Sequence, residues 1–181
     1  MTRTYPIYYY YLPIWMLLFS VIACSEKEPV LTVKNNGISL IKEHDSLYYI
    51  EIKSNELVDH WELPYPVYQF KVGDIDNDGK EDMMVGVIKT TRFDTVSGKR
   101  LFIFKNYKGY VRPLWLGSRL SQPLIDFNFV ITDSGARIRS IEKEKSGNVL
   151  VAEYKWRRFG LEFTRYLDRE IDHSTAKKEL E

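Results

Sequence analysis

The chain has 181 residues, of which 44% are hydrophobic, 28% charged and 14% aromatic. That is long enough for one domain with a sizeable core, and disordered segments do not carry so many Tyr, Phe and Trp. Twenty-six basic groups against 25 acidic ones leave a formal charge of +1, so no basic excess meets a nucleic acid backbone and no aromatic-basic alternation offers a base-stacking platform.

In chain order, residues 1–23 read as a segment apart. Arg3 and the amino terminus give a positive start, Ile7 to Ala23 carries no charge, and Val21-Ile22-Ala23 leads into Cys24, the only cysteine. This segment resembles a bacterial lipoprotein signal peptide, which implies cleavage before Cys24 and lipidation of that residue, with residues 24–30 as a tether. An uncleaved anchor is the other reading, since 17 apolar residues lie at the lower edge of the roughly 17–25 that span hydrocarbon, and Pro13 interrupts them. Either places residues 25 onward outside the cytoplasm and on a membrane. The acidic Ser25-Glu26-Lys27-Glu28 resembles an export tag to the outer face of the outer membrane, and a periplasm-facing lipoprotein remains the alternative.

Residues 31–167 fall into short apolar segments divided by turn signals, an all-β pattern. Leu31-Thr32-Val33 and Ile38 to Ile41 flank a Lys34-Asn35-Asn36-Gly37 turn; Leu47 to Ile52 pairs with Leu57 to Trp61. A later segment repeats that layout, with Leu101 to Phe104 turning into Tyr110 to Trp115. The parallel extends further, because Pro66 to Phe70 follows the first hairpin as Pro123 to Phe127 follows the second. A third hairpin, Val149 to Tyr154 with Leu161 to Phe163, lacks the closing Trp. About twelve strands in units of four suggest propeller-like antiparallel blades. A closed ring needs at least about four blades, more than this length supplies, so two or three blades in an open array or a sandwich are expected. Residues 168–181, mostly charged, read as a frayed tail or a short exposed helix.

The most specific motif is Gly73-Asp74-Ile75-Asp76-Asn77-Asp78-Gly79-Lys80-Glu81-Asp82. Carboxylates at loop positions one, three, five and nine would repel one another at neutral pH unless a hard cation sat among them. An EF-hand needs a Glu at position twelve and flanking helices; here that position is Val85 and the flanks, Val67 to Val72 and Met83 to Ile88, are strand-like. The loop resembles the FG-GAP or VCBS repeat of integrin-type propellers, in the form Asp74, Asp76, Asp78, Gly79, Asp82. The resemblance implies calcium held by the side chains of Asp74, Asp76, Asp78 and Asp82 and by the backbone carbonyl of Lys80. In the second pseudo-repeat Thr132-Asp133-Ser134-Gly135 lacks these acids and is expected to be metal-free. An ion bound only by the folded state, at 100 times its dissociation constant, adds about 2.7 kcal/mol to stability, so structural stapling is a sufficient role.

Other candidates carry less. His44, His60 and His173 form no ligand spacing, and Ser118 lacks the second glycine of a nucleophile elbow. Glu142 and Glu144, two apart on a predicted strand, are the sole support for a glycosidase pair. Trp156, Arg157 and Arg158, at a hairpin tip, are of the types enriched in binding hot spots, although Trp156 and Phe159 also suit packing between units. These readings converge on a membrane-anchored, calcium-stabilised β module that binds a protein or glycan, with a glycan-acting hydrolase as the alternative.

Overall fold

The computed structural model describes residues 37–54, 57–92, 94–117 and 120–180. The expected signal segment, Cys24, the tether, the first predicted strand and Ser118 lie outside them.

Among the described residues the protein is built from antiparallel strands with one short helix. Strands β1 (Ile38–His44), β2 (Leu47–Lys53) and β3 (Val58–Leu63) form a three-stranded meander. A second meander contains β4 (Val67–Gly73), β5 (Asp82–Thr91), β6 (Asp94–Tyr107) and β7 (Tyr110–Leu116). The third contains β8 (Leu124–Thr132), β9 (Gly135–Lys143), β10 (Val149–Arg157) and β11 (Gly160–Ile171). A single pairing of Lys99 with Leu124 joins the second and third into an eight-stranded sheet, and neither sheet closes on itself.

The side-chain alternation of the strands explains the layering. On β5 and β6, Met83, Val85, Val87, Phe102 and Phe104 point to one face, where they meet Ile38, Leu40, Ile50 and Leu63 of the first meander. Met84, Leu101 and Ile103 point to the other and meet Phe127, Ile138, Leu150 and Tyr154 of the third. A strand buried on both faces reads as a continuous apolar run, as Met83 to Ile88 does. The second meander is therefore the middle layer. Val111 N–H of β7 also donates to Asp59 Oδ2 of β3 at 2.8 Å, tying the first layer to the second.

The chain does not fray after residue 167. Strand β11 runs on to Ile171, and helix α1 (His173–Glu179) follows, capped by the Asp172 carboxylate accepting from Ser174 and Thr175 N–H groups. Ala176 and Leu180, spaced to share a helical face, cover Val149, Val151 and Ile141 on the outer side of the third meander. That burial is why a charged segment is ordered. Among the described residues, no helix is long and apolar enough to cross a membrane.

Candidate metal centre

The acidic loop, residues 74–81, connects β4 to β5 at one end of the middle layer, starting and ending on the paired residues Gly73 and Asp82. Its entry requires glycine: a Cβ on Gly73 would lie 2.2 Å from Cε1 of Phe129 on β8. Ile75 is buried in the second core and pins the loop down. Asn77 (φ 59°) and Gly79 (φ 83°) then turn the backbone through the left-handed region that these two residue types tolerate best.

This path brings Asp74, Asp76 and Asp78 together, each offering a carboxylate oxygen within 4.8 Å of the others. Asp74 also holds the loop's shape, accepting from Asp78 N–H at 3.0 Å and Gly79 N–H at 2.8 Å. Asp78 Oδ1 accepts from Lys80 N–H at 3.0 Å. Asp82 is not in the 4.8 Å group; it is fully buried at the start of β5, with Oδ2 accepting from Ile75 N–H at 3.2 Å.

Sequence reasoning missed Lys105. Its ammonium donates to Asp76 Oδ2 and lies 2.7 Å from Asp78 Oδ2. Strand register places it there, because Met83 pairs with Phe104 and the next position along the ladder sets Lys105 across from Asp82. Only the β5–β6 register, 23 residues on, could have signalled it. Hydrogen bonding from Lys105 is the chief reason Asp78 ionises below the usual carboxylate range. Burial alone would lower the Lys105 ammonium, but its bonds to Asp76 and Asp78 outweigh burial and hold it above its ordinary value.

One lysine does not satisfy four carboxylates. Asp76 Oδ1 and Asp82 Oδ1 are both buried with no hydrogen-bond partner. Burial, then the negative charge of Asp76, pushes the Asp82 carboxyl up to about 7. Oxygen donors only, close together and in excess of their local counter-charge, fit a hard cation such as calcium.

The other candidates fall elsewhere. Trp156 packs against the second core, while Arg157 pairs with Glu162 at 2.7 Å and Arg158 sits in the exposed turn beside Phe159, which is 89% exposed. Glu142 is fully buried: one oxygen accepts from Ser140 and Tyr154 hydroxyls, the other from Ser121 Oγ and Gln122 N–H. Glu144 accepts from the Arg169 guanidinium and Glu170 N–H. All four oxygens of this pair are engaged within the fold. His44 bonds Ser46, His60 packs edge-on to Tyr49 and His173 opens helix α1, so the three do not converge.

No protein-family model, curated protein or solved structure matches the chain.

Proposed function

We propose that this protein is a lipid-anchored, extracytoplasmic β domain, stapled by one calcium ion, that acts as a binding module for a protein or glycan. The observation that carries the reading is the loop: Asp74, Asp76 and Asp78 converge within 4.8 Å while Asp76 Oδ1 and Asp82 Oδ1 stay buried and unpartnered. A divalent ion supplies the missing counter-charge, with Asp74, Asp76, Asp78 and Asp82 and the Lys80 carbonyl as its expected ligands. The stacked meanders support an open array of three propeller-like blades, the first represented by three strands among the described residues. Membrane attachment, through Cys24, rests on the sequence alone, as does the choice of the outer membrane or cell surface. The buried, internally bonded Glu142 and Glu144 favour a binding role over hydrolysis.

Calorimetry with calcium and then with chelator tests the metal. The melting temperature should rise with calcium, and Asp76→Ala or Asp78→Ala should abolish the rise; a wild type indifferent to calcium removes the reading. Cys24→Ser should block processing and acyl labelling. Binding screens against polysaccharides and peptides should return a ligand without turnover. Turnover lost on changing one Asp or Glu outside the loop would make the protein an enzyme instead.

A further inference from the structure

The acidic loop already holds a cation, and that cation belongs to the protein. We propose that Lys105 is a built-in competitor for the divalent ion, so that a residue of β6 sets the loop's affinity for calcium; the inference rests on the calcium reading above.

The lysine engages two of the three converging carboxylates, Asp76 and Asp78. It occupies lone pairs that a metal would need, and two positive charges a few ångströms apart repel strongly where water is scarce. Ion and ammonium are therefore alternative occupants. The β5–β6 register fixes the lysine backbone beside the loop, so the competitor is always present at high local concentration.

The lysine is an incomplete substitute. Asp82 is fully buried with its second oxygen bonded to Ile75 N–H inside the loop, and its Oδ1 and that of Asp76 remain without partners while Lys105 is in place. These oxygens point to a second, more highly charged occupant. When calcium enters, the ammonium leaves toward solvent, to which its side chain is already 21% exposed. The metal-free loop keeps a partial neutraliser and stays folded, while calcium affinity is weakened toward the roughly 10⁻⁴–10⁻³ M range that serves extracellular modules.

The test uses the full-length protein in detergent micelles, titrated with calcium chloride, as wild type, Lys105→Met and Lys105→Arg. Lys105→Met should bind calcium about tenfold tighter or more, melt lower than wild type in chelator, and gain more from calcium. Lys105→Arg, which keeps the charge, should behave like wild type. In the wild type, labelling of Lys105 by an amine-reactive reagent, read by mass spectrometry, should rise as calcium is added. Unchanged or weaker binding by Lys105→Met overturns the inference, as does unchanged labelling in wild type that binds calcium. Binding by Lys105→Met alone would mean that the lysine has replaced the ion in this chain: the inference stands and the calcium reading of the wild type falls. Binding by none of the three removes both.

Discussion

The β4–β5 and β8–β9 connections occupy matching places in two successive meanders and solve the same problem in opposite ways. The first spends eight residues and, with Asp82 at its end, gathers carboxylates of which two buried oxygens, Asp76 Oδ1 and Asp82 Oδ1, have no hydrogen-bond partner. The second is a two-residue turn, Asp133-Ser134, between the paired Thr132 and Gly135. Thr132 Oγ1 bonds Gly135 O at 2.9 Å and Arg137 bonds Ser134 O at 2.9 Å, so this turn closes on itself. The same contrast holds between whole layers. In the third meander the buried acids meet hydroxyls or cations: Glu142 sits in a hydroxyl network, Glu144 pairs with Arg169, and Glu153 lies between Arg165 and Arg139, its Oε2 ion-paired at 3.6 Å without a hydrogen bond. Buried carboxylates are thus met by two routes, and the proposed ion would meet the two unpartnered oxygens of the middle layer, Asp76 Oδ1 and Asp82 Oδ1.

A large expected effect probes the third meander. Glu142→Ala strips the acceptor from Tyr154, Ser140 and Ser121 hydroxyls and from Gln122 N–H in one step. Stranding a buried polar group costs about 1–3 kcal/mol, so a loss of about 3 kcal/mol or more is expected by urea denaturation. The loss should be equal with calcium and with chelator. A loss confined to chelator would show that the two layers share one site and would break the comparison.

Chain order made part of this arrangement legible. The acidic loop and its apolar flanks are local patterns, so the spacing of Asp74, Asp76, Asp78 and Asp82 and the strands beside them were readable without a structure. The repeat of one hairpin layout was readable too, and it corresponds to β2–β3 followed by β4 and β6–β7 followed by β8. The strand extents were not. Strand β6 begins at Asp94, through Thr95-Val96-Ser97-Gly98, because it pairs with an overhanging β5 rather than because it buries a face. Strand β11 continues through Arg165 to Glu170, mostly exposed and interrupted by register shifts against β10, which erases the period-two signal. Lys105 is invisible for a further reason: its role depends on which residue faces which across a hairpin, and that is fixed by register.

The response to pH sharpens what the middle layer lacks. In chelator the Asp82 carboxyl titrates near 7 in the folded protein against 3.8 in the unfolded chain. Between those values the native state keeps a proton that the unfolded state has released. Stability should therefore fall as pH rises from about 4 to about 7 and level off above that. Asp82→Asn should remove this component of the slope, and calcium, by favouring the ionised carboxylate, should oppose it. Unfolding free energies at a few pH values, wild type against Asp82→Asn, check this. Identical slopes would mean that the buried carboxyl does not retain its proton.

The smallest expected effect is the most discriminating about where the site ends. The two connections lie near each other, since a Cβ built on Gly135 would stand 4.0 Å from Asn77 Oδ1. Asp133 is exposed in the turn beside them and stands outside the converging carboxylates. If the turn is closed by Thr132 and Arg137 alone, Asp133→Ala changes stability by no more than about 0.5 kcal/mol, as surface substitutions usually do. The calcium-induced melting shift should then be the same as in the wild type. A reduced shift would mean that Asp133 acts on the ion across the neighbouring Asn77 turn. The acid-poor connection would then be part of the proposed metal site, and the division between the two layers would have to be redrawn across the β4–β8 boundary.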